Sequence, residues 1–200
     1  MASDSPTNMV ISVVGGTGAL GGGLARRWAK AGLTVVIGSR NADKAAAAAA
    51  ALRAAYPHSR VQGMGNLDAA RAGDVVVLTV PFAQQRATLE GIQPALAGKI
   101  LVDTTVPLVP PRVARVQLPT EGSAAAIAQQ VAGDTVSVVA AFHNVSADSL
   151  HTDEDLDCDV LVVGNKADAR EVVVGLARAA GLRAWHAGSL ENAAAAEALT

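Results

Sequence analysis

Apolar positions along the chain fall in short continuous runs of β-branched residues, separated by Ala-rich stretches. The runs are MVISVV at 9–14, TVVIG at 34–38, DVVVLTV at 74–80, KILVD at 99–103, TVSVVAAF at 135–142, CDVLVVG at 158–164 and LRAWH at 182–186. A strand that is apolar throughout, rather than at alternate positions, is covered on both faces, and helical intervals of about 10 to 20 residues supply the crossovers between parallel strands. The pattern predicts an α/β architecture, a doubly wound parallel sheet of the Rossmann type. Helices are expected at 19–31, ending at Gly32, and at 42–56, stopped by Pro57, where the alanine run 45–51 has the highest helix propensity. Further helices are expected at 82–95, 123–131 and 167–180, and one starting near Leu190. The segment VPLVPPRVARVQLP at 106–119 holds four of the eight prolines and reads as an ordered loop, since proline inside a helix costs about 3 kcal/mol. A loop of that length within a compact domain is usually functional. No linker composition appears, so residues 9–200 read as one domain behind a flexible polar segment, MASDSPTN, at 1–8.

The first run leads directly into GGTGALG at 15–21, which contains G-x-G-x-x-G as Gly16, Gly18 and Gly21. Between a strand and a helix, Gly16 permits the tight turn, Gly18 lets the backbone approach a pyrophosphate, and Gly21 lets helix pack on strand. The N–H groups of the helix start, from Thr17 through Ala19 and Leu20, then face the anion. In NAD-binding versions an acidic residue follows the second strand and accepts from the ribose 2′-hydroxyl. This sequence has Ser39 and Arg40 there, with Lys44 one helical turn later. A 2′-phosphate would meet a hydroxyl, a guanidinium and an ammonium, with the Thr17 hydroxyl adding from the glycine turn, so NADP is the expected dinucleotide. Read instead as solvated charges opening a surface helix, Arg40 and Lys44 would oppose the helix dipole.

These segments resemble the coenzyme F-420 (F420)-dependent NADP oxidoreductase family, whose second substrate is a deazaflavin. The resemblance continues through VVVLTVPF at 75–82, VPLVP at 106–110, GSAAAIAQQV at 122–131, AFHNVSA at 141–147, CDVLVVG and AGSLENA at 187–193. It implies an enzyme that exchanges hydride between C4 of the nicotinamide of NADP(H) and C5 of the deazaflavin. Such a transfer formally requires no acid, base or nucleophile and proceeds by proximity and orientation of two stacked rings. The resemblance places the ring-binding wall at Val80, Pro81 and Phe82, at Pro107, Leu108 and Val109, and at His143, Asn144 and Val145. All three follow strand ends, where ligands bind in open α/β sheets. His143 is either a ring-positioning hydrogen-bond donor or a strand-end histidine merely satisfied by its surroundings; Phe82 reads as packing rather than stacking. Family members usually continue past the Leu-Thr at 199–200 with a further helix and tail, so either that tail is dispensable or the deazaflavin pocket is incomplete here. Rival readings are an NADPH-dependent reductase of an imine, flavin or quinone, and a non-catalytic NADP-binding sensor.

Composition narrows the picture further. Sixteen Lys plus Arg against 18 Asp plus Glu give a net charge of −2, without the basic excess that nucleic-acid binding requires. One cysteine, Cys158, forms no intrachain disulfide and fits a reducing compartment; no signal-peptide pattern opens the chain, and no uncharged apolar stretch is long enough to span a bilayer. The expected setting is the cytoplasm, with no membrane and no nucleic-acid partner, and a homodimer formed over apolar surface left at the sheet. The spacing of His58, His151 and His186 holds no metal-ligand pattern. The acidic stretch at 153–157 lacks the glycine of a calcium loop and reads as solvated. Cys158 reads as packing.

Overall fold

The computed structural model describes residues 9–109, 111 and 115–200. The expected flexible segment at 1–8, and Pro110 in the proline-rich loop, lie outside the described residues. The order is β1 (Val10–Val14), α1 (Ala19–Lys30), β2 (Thr34–Ser39), α2 (Ala42–Ala55), β3 (Arg60–Gly65), α3 (Asn66–Ala72), β4 (Val75–Leu78), α4 (Phe82–Ile92), β5 (Ile100–Asp103), α5 (Ala124–Ala132), β6 (Ser137–Ala140), α6 (Ala147–Leu150), β7 (Asp159–Gly164), α7 (Ala167–Ala179), β8 (Arg183–His186) and α8 (Ala193–Ala198). These strands form one sheet in the order β3-β2-β1-β4-β5-β6-β7-β8.

The first six strands are parallel and wind outward in both directions from β1 and β4. Successive residues of one strand serve opposite layers. Val75 and Val77 of β4 join the core under α1, α2, α6 and α7, whereas Val76 and Leu78 join the core under α3, α4, α5 and α8. Trp28 of α1 is fully buried in the first core, where its indole N–H donates to Leu176 O at 2.8 Å and ties α1 to α7.

Two features depart from the sequence expectation. β7 runs antiparallel to β6, and β8 runs parallel to β7. Between β6 and β7 stands only the four-residue α6, too short to carry the chain back across the sheet, so it returns in the opposite sense. β3 and α3 also emerge from a stretch the pattern left unassigned. β3 is an edge strand whose sequence, RVQGMG, buries only Val61, and Gly63 is there because a Cβ would lie 2.1 Å from Ala45 O of α2. The proline-rich segment 106–119 carries no helix or strand among its described residues. No helix among the described residues is long and apolar enough to cross a membrane.

Candidate functional site

The sheet changes direction of winding between β1 and β4, and the groups placed there form a trough. Gly15, the residue after β1, has φ +80°, and a Cβ on it would lie 2.8 Å from Val80 Cγ1. The left-handed position of the turn is therefore Gly15. Gly16 answers a different demand: its N–H donates to Val13 O and Gly38 O, and a Cβ would sit 2.7 Å from Val13 O. Gly18 is the N-cap of α1, where a Cβ would meet only Gly15 O at 3.3 Å, leaving the outer side free for a ligand. Gly21 packs so closely on β4 that a Cβ would be 2.3 Å from Thr79 Oγ1. No side chain caps α1 and no acidic residue stands in its first turn, so its opening N–H groups remain available to an anion. Ala19 contributes backbone here, while Leu20 packs against the core.

At the end of β2 the Ser39 side chain is buried and surrounded by donors: Thr17 Oγ1 lies at 3.4 Å and Asn41 N at 3.2 Å. Asn41 caps α2 by accepting from Lys44 N at 3.0 Å. Arg40 and Lys44 are exposed, and neither is ion-paired among the described residues. Both line a trough of about 400 Å³ together with Thr17, Ser39, Asn66, Thr79, Val80 and Pro81. A second depression, of about 550 Å³, shares Ser39, Arg40, Asn66, Gln84 and Thr88 with it and runs on toward Leu67, Ala87 and Ile92. The pair makes one elongated groove suited to a dinucleotide. Phe82, half-buried at the start of α4, lines neither depression. Asn66, unmarked in the sequence reading, accepts from Gly15 N at 3.4 Å and so joins the α3 start to the glycine turn.

Beyond the end of β5 lies a second crevice, of about 220 Å³. Its lining includes Val106, Pro107 and Leu108, Val116 and Leu118 with Arg115, and Ala194, Glu197, Ala198 and Thr200 from the end of the chain. Val109 is exposed outside it. His143 follows β6 and is 8% exposed; its Nε2 is buried without a partner, and burial pushes its pKa down to about 4. The ring is therefore neutral at pH 7 and carries an unspent hydrogen-bonding nitrogen. The preceding Phe142 holds φ at 66°, in the left-handed region, and is fixed there by full burial and an edge-to-face contact with Trp28 at 6.1 Å. Asn144 turns away from the crevice, its Nδ2 donating to Asp159 O at 2.9 Å, and Val145 packs into the core.

Beneath the crevice lies a buried polar cluster whose members stand far apart in the chain. Gln85 Nε2 is within 2.6 Å of Asp103 Oδ2 and 2.8 Å of both Thr105 Oγ1 and Ala124 O. Burial pushes Asp103 up to about 6 against the hydrogen bonds from Thr105 and Gln85. Glu197 is pushed up to about 7 by burial, with the Asp103 charge adding to it and the N–H groups of Ala124 and Ala125 opposing.

Other singled-out residues have structural partners. Within the exposed acidic stretch Asp153 bridges Arg26 and Lys30, and Asp157 pairs with Arg183, which also pairs with Asp159. Cys158 is half-buried against the core, and burial and the nearby Asp159 raise its thiol pKa. His186 contacts Glu171, and His151 Nε2 lies 2.9 Å from Ala19 O in the first turn of α1.

A family model described as "NADP oxidoreductase coenzyme F420-dependent" matches residues 10–107. The F420-dependent NADP reductase of Methanothermobacter thermautotrophicus is 44% identical over 96% of this chain and 86% of the relative. That of Methanocaldococcus jannaschii is 38% identical over 96% of this chain and 89% of the relative. Among solved structures, a hypothetical protein of Sinorhizobium meliloti superposes with a TM-score of 0.71 at 24% identity, over 94% of this chain and 86% of that one, and shares the fold. With near-full-length identity of this order and a cation-lined dinucleotide groove at the switch point of the sheet, the chain belongs to the coenzyme F420-dependent NADP oxidoreductase family.

Proposed function

We propose that the protein is an F420-dependent NADP reductase, moving a hydride between NADP(H) and the deazaflavin. The observation that carries this reading is the succession of sites along strand ends: the dinucleotide groove at β1, β2 and β4, then the crevice beyond β5 with Val106, Pro107 and Leu108 in its wall, then the neutral His143 after β6 with its unpartnered Nε2.

In this reading the pyrophosphate lies on the N–H groups of α1, and Thr17, Ser39, Arg40 and Lys44 take the 2′-phosphate. Val80 and Pro81 flank the nicotinamide. His143 Nε2, which burial keeps in the neutral form, hydrogen-bonds the carboxamide or the deazaflavin head group. Pro107 and Leu108 supply an apolar wall for the second ring. In the reductive direction NADPH loses a hydride, two electrons with one proton, to C5 of the deazaflavin, which takes a further proton from solvent; the protein supplies alignment and exclusion of water. Direction follows the ratio of the reduced partners in the cell. The same reading sets the enzyme in the cytoplasm as a homodimer; the edge strand β8, with Trp185 57% exposed, supports self-association.

The test is anaerobic mixing of the purified protein with NADPH and oxidised F420. The expected result is loss of the deazaflavin's visible absorbance at a rate proportional to enzyme, with FMN left unreduced. Tight NADPH binding with no turnover of F420 would instead favour a sensor.

A further inference from the structure

α8 is a helix of six residues, AAAAEA, whose buried positions are Ala193, which joins the second core, Ala196 and Glu197. A helix that short does not hold itself in water, and alanine methyls offer little area to hold it against α5. Its polar tie is Glu197, which is 2% exposed and meets the N-terminus of the nine-residue α5 head on. Oε2 accepts from Ala124 N at 2.9 Å and Oε1 from Ala125 N at 3.0 Å, while Ser123 Oγ accepts from Ala126 N at 3.0 Å. The first-turn donors of α5 are thereby filled from inside the protein, two of them by a residue about 70 positions away in the chain. Two residues beyond α8, the Thr200 hydroxyl donates to His143 O at 3.2 Å. These ties fix Ala194, Ala198 and Thr200 as one side of the crevice, opposite Val106 and Pro107.

We propose that Glu197 is a positioning residue for the second substrate: by anchoring α8 on the start of α5 it sets the width of the crevice and, through Thr200, the seat of His143. The inference rests on the function proposed above and adds to it a residue whose carboxyl is spent on the start of α5. The dinucleotide groove takes no lining residue from α8, so the two substrates should respond differently.

Three proteins test this: wild type, Glu197→Gln, which turns an amide donor toward backbone N–H donors, and Thr200→Val, a change at an exposed position that leaves the fold untouched. F420 binding is followed by fluorescence titration, turnover by absorbance, and NADPH affinity by calorimetry. For Glu197→Gln the expected result is a rise of about tenfold or more in the Kd and KM for F420, because the amide N–H would face a buried backbone N–H that the carboxyl satisfies. NADPH affinity and kcat should stay within about threefold of wild type. Thr200→Val should move the F420 values the same way by a smaller factor. An F420 Kd within twofold of wild type in Glu197→Gln overturns the proposal, as does equal loss of NADPH and F420 binding, which would make Glu197 a general fold determinant. Absence of F420 turnover and binding in the wild type would overturn the function itself and the inference with it.

Discussion

Replacing Arg40 with alanine separates the two dinucleotides by the one group in which they differ. The Arg40 side chain is exposed and unpaired among the described residues, so its removal breaks no internal contact and should leave folding stability within about 0.5 kcal/mol of wild type. What is lost is its interaction with the 2′-phosphate. A hydrogen bond to a charged group contributes roughly 1.5 to 3 kcal/mol, a factor of about 10 to 100 in Kd. Exposure places Arg40 toward the lower half of that range, and Lys44, lining the same groove, takes up part of the charge. Arg40→Ala should therefore weaken NADPH binding about 10- to 30-fold and leave NADH within twofold, while adding Lys44→Ala should widen the NADPH loss by less than the product of the single effects, because both cations act on one phosphate. Solvent screens the contact, with a Debye length of about 10 Å at 0.1 M salt, so the wild-type preference for NADPH should shrink as salt rises. Isothermal calorimetry with both dinucleotides at two ionic strengths measures all of this. Equal weakening of NADPH and NADH, or no change in either, would refute the electrostatic account of the preference.

Three further outcomes follow from distances and burial. Gly21→Ala should destabilise the protein by about 1 to 3 kcal/mol and weaken NADPH binding, since its Cβ would lie 2.3 Å from Thr79 Oγ1, itself bonded to Val14 O, and 2.9 Å from Gly16 Cα; a shift below 0.5 kcal/mol in urea unfolding would contradict this. Two neighbouring glycines of α1 should differ in sign: Gly23→Ala should destabilise, its Cβ falling 2.5 Å from Leu150 Cβ, whereas Gly22→Ala, with nothing nearer than 3.5 Å, should stabilise by about 0.5 to 1 kcal/mol through helix propensity. Finally, Glu197 titrates near 7 when folded against 4.5 when unfolded, so between those values the native state holds a proton the unfolded chain has released, and stability from this group falls as pH rises. Asp103, raised from 3.8 to about 6, acts in the same sense at lower pH, while His143, lowered from 6.5 to about 4, opposes both. The difference in stability between wild type and Glu197→Gln isolates the Glu197 contribution; it should decline from pH 4.5 to 7 and level off above, and a difference independent of pH would refute the burial argument.

Much of the dinucleotide half was legible because its signals are local. The strand, the glycine turn and the helix start occupy adjacent positions, and the cations after β2 stand within one helical turn of each other. Within the turn the positive φ falls on Gly15, the residue just before the motif's first glycine, which the motif does not mark. β3 escaped the pattern because an edge strand with a helix resting on Gly63 needs few apolar residues. The reversal at β7 was open to notice in the missing crossover: eighteen residues from Ala141 to Cys158, with four Asp, one Glu and two Ser, give no sustained helical face. Asn144 and Val145 follow a strand end in sequence, yet the turn at Phe142 directs His143 inward and sends the Asn144 amide to the start of β7. Asp103, Gln85 and Glu197 were invisible because nothing in their separate contexts links them; only the packing of α4, α5 and α8 does.

That contrast has a physical consequence for how the two sites tolerate change. The dinucleotide groove draws its lining residues from positions 15 to 92, mostly backbone and short side chains set by the strand ends themselves, so its shape is fixed once the sheet forms. The second crevice sets a proline-rich loop beside residues near 200 that are held to the start of α5 by buried polar bonds, and the carboxyl that accepts those bonds titrates near neutrality. Its geometry therefore depends on contacts of long sequence separation with little apolar area behind them, the kind of structure that opens locally at low free energy. Variation in the second substrate, or in its affinity with pH, should accordingly arise from α8 and the 106–119 loop, while the preference for NADP should stay with Ser39, Arg40 and Lys44, which share no hydrogen bond with that half of the molecule among the described residues.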